Sequence, residues 1–549
     1  MPAAASAITP IDAPQLRSHL MADEEICVLD VRGRGVRARD GHLLRSVCIP
    51  LDLLELEIVS AVPLKQTLIV VYDRDGQSLA PLAVERLSAL GYSRVAMLRG
   101  GTDYWVACGY ELFTGINSFG VAFGEFVEAR YNTPWSAADD VKQRLDSGAQ
   151  AVLIDVRPQN EHARFSIPGA VNLPGPDLLT RLAEVVRDET TPLITHCAGR
   201  TRAILGAQAL INAGVKNPVL SLANGTMDWI AAGYAIEHRA QACPEVSQVG
   251  AGGQGFAMAQ RLITRYAIEL LDATGLDRFR HEHNLAERSL YVIDVRSHSA
   301  YLAGHLPGAQ WAAEGQVVLG VGSWVGVQNA RIVLVDDQEL VGAAVTASWL
   351  KQLNWGEVFI MRQPADQPLE SGPHRPVRAA PLPAVRWIHA AALKAGAGTA
   401  RYRIYDFDNT FDYRNAHIEG SRHATRGAPL APAQDGREVV FVSGDAVMAA
   451  FAAGDLPAAD KVSVLAGGKQ AWRQAGFALT ACENEPPLYC DDVAVHPYDV
   501  PLEHRLQAFA AYLAWEGEMV QRLRRDGTSK FRVFDAADAA HRRSEAGAQ

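Results

Sequence analysis

The stretch AVLIDVRPQ at residues 151–159 carries a pattern that recurs three more times and decides the fold. Each copy is a short apolar run that ends in Asp. The other copies are CVLDVRGRG from Cys27, YVIDVRSHS from Tyr291 and YRIYDFDNT from Tyr402. Successive copies are about 110 to 140 residues apart, which is the size of a small domain and too long for a solenoid unit. The sequence therefore predicts four tandem domains.

Further shared signals follow each Asp and predict alternating strands and helices. A Pro-Gly or Gly turn leads into a short apolar run, as in RFSIPGAVNLP from Arg164 and LAGHLPGAQW from Leu302. Four later apolar runs each precede a more helical stretch: TLIVVY (67–72), PLITHC (192–197), RIVLVD (331–336) and EVVFVS (438–443). Strands that alternate with helices pair in parallel. We therefore expect an α/β fold, with a parallel sheet flanked by helices in each domain.

The predicted domains span residues 8–116, 127–240, 258–364 and 383–480, and residues 481–549 form a C-terminal extension. Three stretches between them are predicted linkers, because Gly and Pro make them poor element formers: 118–126, 241–255 and 362–383. In the extension, apolar residues at helical spacing over 502–526 predict an amphipathic helix. Three repeats end in Gly with Trp four residues later, and we expect core positions for Trp105, Trp229 and Trp472.

Composition narrows the function classes. The 549 residues are 48% hydrophobic and 21% charged, with a net charge of −10 and no block of like charge, so we expect no nucleic-acid partner. No window approaches 18 uninterrupted apolar residues and no leader pattern opens the chain, so we expect a cytoplasmic protein without a membrane span. The seven cysteines lack metal-ligand spacing and a disulfide framework, and no metal or cofactor is expected.

Only the second repeat carries a thiol at the end of its later apolar run. Counting 42 residues from the repeat Asp aligns Tyr72, Cys197 and Asp336, and the run of the shorter fourth repeat ends at Ser443. A cysteine between a strand and a Gly-bearing loop that opens a helix lies among inward-facing N–H groups, with two arginines nearby. We predict that these surroundings favour the thiolate and make Cys197 a nucleophile. The following loop residues are predicted to bind the substrate: Ala198, Gly199, Arg200, Thr201 and Arg202. His196, directly before the cysteine, is predicted to be a supporting residue.

The charged residues before the loop have plainer interpretations. Asp155 and Arg157 are interpreted as a charge pair that fixes the strand to the following helix, because the same Asp recurs in repeats without a nucleophile. His196 could act as a proton donor or as an anchor for the loop, although a lone histidine is more often structural.

Taken together, the DVR motif, the Pro-Gly turn, the strand that ends in Cys and the closing Gly and Trp resemble the rhodanese domain of the sulfurtransferases. The resemblance covers about 480 residues and is strongest to bacterial four-domain thiosulfate sulfurtransferases. It implies a five-stranded parallel sheet in each domain and a persulfide carried on Cys197. Where the family commonly has Gly-His before Ile-Pro-Gly, the second repeat has Phe165 and Ser166, while the third keeps Gly-His at Gly304 and His305. That element is therefore predicted to be structural.

A similar loop on the same fold serves cell-cycle phosphatases and arsenate reductases, whose pattern is His-Cys, five residues, then Arg. Here the arginine is Arg202, one residue short. The smaller cradle suits a terminal sulfur atom better than a tetrahedral phosphate. We therefore predict that Cys197 takes the outer sulfur of thiosulfate, releases sulfite and passes the sulfur to cyanide or a thiol. Arg200 and Arg202 are predicted to hold the dianionic donor.

The other three domains need a separate account. Tyr72, Asp336 and Ser443 cannot form a persulfide, so these domains are predicted to be scaffold, walls around the Cys197 loop or docking surfaces. A different class stays open, in which the chain is a non-catalytic scaffold whose domains bind acceptors. A protein sulfur acceptor and an oligomer are also left open.

Overall fold

The computed structural model describes residues 9–238, 253–365, 367–397, 401–427, 437–456, 462–482, 484 and 487–534. These residues form four five-stranded sheets in which all strand pairs are parallel. Within each sheet, the strands numbered in chain order lie in the spatial order 1-5-4-2-3. The predicted α/β fold with four repeated domains is confirmed.

The first domain contains five strands and five helices. The strands are β1 (Thr9–Ile11), β2 (Ile26–Asp30), β3 (Val47–Cys48), β4 (Leu68–Tyr72) and β5 (Val95–Leu98). The helices are α1 (Ala13–Met21), α2 (Arg34–Asp40), α3 (Leu54–Ala61), α4 (Ala80–Ala89) and α5 (Gly101–Ala107). The central strands β2 and β4 are almost wholly buried, because helices cover both faces of a parallel sheet.

The second domain follows a long helix, α6 (Ser118–Tyr131). Its strands are β6 (Trp135–Ser136), β7 (Val152–Asp155), β8 (Val171–Asn172), β9 (Leu193–His196) and β10 (Val219–Leu222). Its helices are α7 (Ala138–Asp146), α8 (Gln159–Arg164), α9 (Asp177–Thr180), α10 (Leu182–Val185), α11 (Thr201–Ala213) and α12 (Gly225–Ala231).

The third domain likewise follows a helix, α13 (Gln254–Arg265). Its strands are β11 (Glu269–Leu270), β12 (Leu290–Asp294), β13 (Gln310–Trp311), β14 (Arg331–Asp336) and β15 (Glu357–Arg362). Its helices are α14 (Ala273–Asn284), α15 (His298–Ala303), α16 (Glu314–Leu319), α17 (Val321–Trp324) and α18 (Val341–Leu353).

The fourth domain and the C-terminal extension complete the described chain. The strands are β16 (Arg386–Ile388), β17 (Tyr402–Asp406), β18 (Arg422–His423), β19 (Glu438–Val442) and β20 (Val462–Leu465). The helices are α19 (Ala390–Ala397), α20 (Thr410–Asn415), α21 (Val447–Gly454) and α22 (Gly468–Gln474). In the extension, a 3-10 turn (Leu502–His504) leads into α23 (Arg505–Asp526), which confirms the predicted helix.

The stretch 118–126 was predicted as a linker, and that prediction is wrong. It forms the first half of α6, and its glycines allow close packing rather than flexibility. A Cβ on Gly120 would lie 2.1 Å from the carbonyl oxygen of Leu319, and one on Gly124 would lie 2.7 Å from the Thr201 side chain. Helix α6 therefore joins the second domain to the third.

The other two predicted linkers differ from each other. Most of 241–255 lies outside the described residues, and the described part begins α13. The described residues of 362–383 contain no helix, and no strand beyond Arg362. Residues 127 and 258 are the predicted first residues of the second and third domains, and α6 and α13 begin before them. The predicted domain boundaries remain a proposal.

Among the residues that the structure describes, one apolar core runs through the first three domains and includes Met519 and Leu523 of α23, whereas the fourth domain has two separate clusters. Each predicted core tryptophan is confirmed as buried. The indole Nε1 groups of Trp105, Trp229 and Trp472 each donate a hydrogen bond of 2.9 Å to a carbonyl oxygen six residues further on. Helix α23 packs on α6 and α12, so the extension docks beside the second domain.

No helix among the described residues is both long and apolar enough to cross a membrane.

Candidate active site

The loop between β9 and α11 places Cys197 at the carboxyl edge of the second sheet. At this edge of a parallel sheet, strand-to-helix loops gather and the amide N–H groups at the start of each helix lack partners. Cys197 is buried, and its side chain lines a cavity of about 290 Å³. The amide N–H of Ala203, in the first turn of α11, lowers the pKa of the Cys197 thiol.

The Gly–Trp motif anchors this loop from outside. At the start of α12, the amide N–H of Thr226 donates to the carbonyl oxygen of Cys197 at 2.9 Å, and that of Met227 donates to Ala198 at 3.0 Å. Gly225 has a φ of +58°, and a Cβ there would lie 2.4 Å from the carbonyl oxygen of Gly199. Glycine is needed at this position because the loop backbone occupies the space of a side chain.

Strand register corrects the alignment of the first repeat. Asp155 pairs with His196, and Asp30 pairs with Tyr72. Tyr72 therefore corresponds to His196, and Asp73 corresponds to Cys197. The prediction that Tyr72 takes the position of the cysteine was wrong, because the connection between the paired strands is one residue longer in the first domain.

In each of the other three domains, a polar side chain accepts hydrogen bonds at the position of Cys197. The carboxylate of Asp73 accepts from the amide N–H groups of Gly76, Ser78, Leu79 and Ala80. Asp336 accepts from the amides of Asp337 and Ala343, both at 2.8 Å, and Ser443 Oγ accepts from Ala449 at 3.2 Å. In all three loops the side chain at this position accepts amide N–H groups, so the loop conformation directs hydrogen-bond donors at the group that stands where Cys197 stands in the second domain.

The protonation of Cys197 reflects opposing effects. Burial raises the pKa of its thiol above the ordinary value. Arg202 and the amide of Ala203 lower that pKa, whereas Glu516 raises it. The prediction that the loop favours the thiolate was therefore wrong, because desolvation of the buried thiol outweighs the favourable charges.

The two loop arginines point to different places. Arg202 pairs with Glu161 of α8 through two hydrogen bonds of 2.7 and 2.9 Å and acts electrostatically on Cys197. Arg200 extends to α6, where it pairs with Glu125 at 2.7 Å and with Glu128. The structure thus places Arg202 in the cavity that Cys197 lines, while Arg200 ties the loop to α6.

Asp155 and Arg157 form a buried ion pair of 2.7 Å, and Arg157 also donates to the carbonyl oxygen of Phe165, just after α8. The first and third domains repeat these contacts with Arg32 and Arg296. In the fourth domain, Lys469 supplies the cation to the repeat Asp. An arrangement shared with domains that lack the thiol supports a structural role.

His196 is fully buried behind the loop. Burial lowers the pKa of its ring to about 4, so the ring is neutral at pH 7. Neither ring nitrogen has a hydrogen-bond partner among the described residues, and Nε2 lies 4.0 Å from an Asp155 oxygen. A buried ring that is neutral at pH 7 supports the structural role of His196.

The Gly-His element of the third repeat is also structural. His305 is buried, its Nδ1 lies 2.9 Å from the carbonyl oxygen of Tyr301, and its ring stacks on Tyr301 with centroids 3.9 Å apart. In the second domain, Ser166 takes this position and donates to Asp155 at 2.8 Å.

Residues far away in the sequence complete the cavity, and they were not predicted. The C-terminal extension contributes His496, Tyr498, Asp499, Tyr512 and Glu516, and the third domain contributes Gln316 and Leu319. The third domain is thus a wall of the cavity, one of the roles predicted for domains without the cysteine. Glu516 lies seven residues from both Phe509 and Leu523, so an acidic residue on an apolar helix face was the signal that could have revealed it.

The fold and the loop define an α/β protein of four repeated domains, one of which presents a cysteine in the loop between a buried strand and a helix. The family model of the rhodanese-like domain matches residues 12–108 and 137–232. The crystal structure of a thiosulfate sulfurtransferase from Pseudomonas aeruginosa is 36% identical, with a TM-score of 0.87, and the match covers 96% of this chain and 100% of that chain. The chain therefore belongs to the rhodanese family.

Two further similarities are confined to short segments. The HTH-type transcriptional regulator Rv0324 of Mycobacterium tuberculosis is 30% identical over 101 residues, which is 18% of this chain and 43% of that protein. The segment of this chain that matches therefore spans less than half the length of that regulator. A rhodanese-like domain from Anabaena sp. is 27% identical over 22% of this chain and 92% of that chain, with a TM-score of 0.18.

Proposed function

We propose that this protein is a sulfurtransferase that moves sulfane sulfur from thiosulfate, through a persulfide on Cys197, to cyanide or a thiol acceptor. The observation that carries the proposal is the cysteine at the anion-binding loop position of the second domain. The corresponding positions hold Asp73, Asp336 and Ser443, which cannot carry sulfur. Similarity to the Pseudomonas aeruginosa thiosulfate sulfurtransferase supports the same reaction class.

In the first step, the Cys197 thiol loses its proton to solvent, and the thiolate attacks the outer sulfur of thiosulfate. A new S–S bond forms, the S–S bond of thiosulfate breaks, and sulfite leaves with the electron pair of that bond. The terminal sulfur of the persulfide then faces the amide N–H groups at the start of α11, where the helix dipole favours negative charge. Cyanide or a thiolate takes this sulfur and restores the Cys197 thiolate.

Among the loop residues, Arg202 is the group that we assign to the donor anion. Both loop arginines line the cavity, but Arg202 is the charged residue that lowers the pKa of the Cys197 thiol most, although it also pairs with Glu161. Arg200 is assigned to anchoring the loop, because Glu125 and Glu128 engage its guanidinium. Ala198, Gly199 and Thr201 contribute to the cavity wall.

Phosphatase chemistry is the weaker alternative. In the phosphatase pattern an arginine stands six positions after the cysteine, where this chain has Ala203. That residue is fully buried within α11 and its side chain offers no charge to a phosphate. The loop from Cys197 to Arg202 is one residue shorter than the phosphatase loop, and a smaller loop favours a terminal sulfur atom over a phosphate.

Intact-mass measurement of the full chain after incubation with thiosulfate tests this proposal. We expect one added sulfur atom per chain, which cyanide removes. Cys197→Ser should abolish the addition, whereas the matched variant Cys48→Ser, at a partly buried free thiol in the first domain, should retain it. Two added sulfur atoms, or one that persists in Cys197→Ser, would contradict the proposal.

A further inference from the structure

Glu516 of α23 is a buried acidic side chain that faces the Cys197 loop. Only 1% of this residue is exposed to solvent. Its Oε1 accepts a hydrogen bond of 3.3 Å from the hydroxyl of Thr201, whereas Oε2 makes no hydrogen bond of normal length and angle with the described residues. Oε2 lies 2.7 Å from the position that a Cβ would take on Gly199. Glu516 and Cys197 line the same cavity, so this oxygen lies against the loop that receives the donor.

The groups around Glu516 come from three elements. Glu125 and Glu128 lie on α6 and pair with Arg200 of the loop, and Tyr512 precedes Glu516 by one turn of α23. Burial, with a smaller contribution from Glu125, raises the pKa of Glu516 to about 8, against the opposite effects of Arg200, Thr201 and Tyr512. The carboxyl group therefore carries a proton at pH 7.

The O–H of the protonated Glu516 carboxyl group is buried, and a buried O–H without a hydrogen-bond acceptor costs desolvation free energy. A bound anion would supply that acceptor. An ionised carboxylate at this position would instead repel a dianion. The two protonation states of Glu516 therefore differ in their effect on a donor that sits above Cys197.

This inference rests on the proposed function and adds a substrate contact to it. We propose that Glu516 is a substrate-binding residue whose protonated carboxyl group donates a hydrogen bond to a sulfonate oxygen of thiosulfate while Cys197 attacks the outer sulfur. The proton stays on Glu516 and the electron pair of the broken S–S bond leaves with sulfite, so the step needs no further reactant.

The same contact makes the C-terminal extension part of the site. Tyr498 joins the second domain through a 2.6 Å hydrogen bond between its hydroxyl and that of Thr226, and its ring lies 4.7 Å from that of Phe165. Arg164 and Asp499 add an ion pair of 3.1 Å. A segment about 300 residues beyond Cys197 in sequence therefore supplies one wall and the proposed hydrogen-bond donor.

Thiosulfate binding to the full-length Cys197→Ser protein, measured by calorimetry at pH 7 and pH 9, isolates this contact. The substitution removes the thiol, and Arg202 stays charged at both pH values. Of the other titratable groups in the cavity, Glu161 and His496 have lowered pKa values, and Tyr498 and Tyr512 have raised ones. None of these four groups titrates between pH 7 and 9.

We expect the affinity to fall about tenfold from pH 7 to pH 9, because the protonated fraction of a group with a pKa near 8 falls by that factor. Adding Glu516→Gln should remove this pH dependence, since an amide remains a neutral donor. Adding Glu518→Gln, at an exposed carboxylate on the same helix, should leave the dependence unchanged. Equal affinity at both pH values, or a tenfold loss that survives Glu516→Gln, would overturn the inference.

A measurement on the unsubstituted protein covers the case in which the double variant does not fold. The rate of persulfide formation is divided by the rate at which neutral iodoacetamide alkylates Cys197. Because the alkylation rate depends only on the fraction of Cys197 present as thiolate, the ratio removes the titration of the thiol itself. This ratio should fall above pH 8, and a constant ratio would refute the role of Glu516. Absence of any persulfide on Cys197 would instead refute the proposed function, so the two failures are distinguishable.

Discussion

Replacing Gly225 by Ala should disable sulfur transfer far more than it destabilises the protein. The position has a φ of +58°, and a left-handed conformation costs a residue with a Cβ about 1–2 kcal/mol. The added Cβ would also lie 2.4 Å from the carbonyl oxygen of Gly199 and 2.5 Å from that of Cys197. Ordinary contact needs about 1 Å more, and a displacement of about 1 Å at reacting groups costs on the order of a hundredfold in rate. That factor corresponds to about 2.7 kcal/mol of activation free energy.

The first domain offers a matched control for this substitution. Gly101 has a φ of +54°, and its Cβ would lie 2.5 Å from the carbonyl oxygen of Asp73, which stands where Cys197 stands in the second domain. Gly101→Ala therefore imposes the same strain on a loop that has no nucleophile. Thiosulfate-to-cyanide transfer and thermal unfolding are measured for both variants. We expect similar losses of stability and a loss of rate confined to Gly225→Ala. Equal rates in the two variants would refute the reasoning.

Two further predictions concern the Cys197 loop itself. Arg202→Ala should reduce the use of thiosulfate by about 10- to 100-fold, because a hydrogen bond to a charged group is worth about 1.5–3 kcal/mol, while alkylation by neutral iodoacetamide changes less. If Arg202→Ala slowed sulfur transfer from thiosulfate and alkylation by iodoacetamide by the same factor, Arg202 would be a structural or pKa-setting residue. Insertion of one Gly between Cys197 and Arg202 should strongly reduce sulfur transfer without unfolding the protein, and the unmodified protein should not turn over aryl phosphates. Substantial phosphatase turnover that Cys197→Ser abolishes would show that the interpretation of the short loop is wrong.

Local patterns in the sequence were enough to predict the repeated architecture. Each sheet contains buried central strands, and such strands leave apolar runs that alternate with helical stretches. The repeat Asp marks the end of the same strand in all four domains, as Asp30, Asp155, Asp294 and Asp406. The candidate nucleophile could be predicted for the same reason, because Cys197 and its loop are contiguous in sequence.

Features that depend on contacts between distant segments could not be predicted in this way. The glycines of α6 were interpreted as signs of a linker, because the sequence does not show whether a missing side chain allows bending or close packing. Tyr72 was placed one position off, because the length of a connection between paired strands is not visible in the strands themselves.

The sequence by itself determined the fold class, the four repeats and the cysteine, since short-range periodicity and one contiguous loop encode them. Only the tertiary structure decided the environment of that cysteine. It brought Glu516 from the C-terminal helix and Leu319 from the third domain to the same cavity. It also buried the thiol deeply enough to raise the pKa of Cys197. Burial and charge at a site depend on all the segments that pack around it, whereas a motif describes only its own segment.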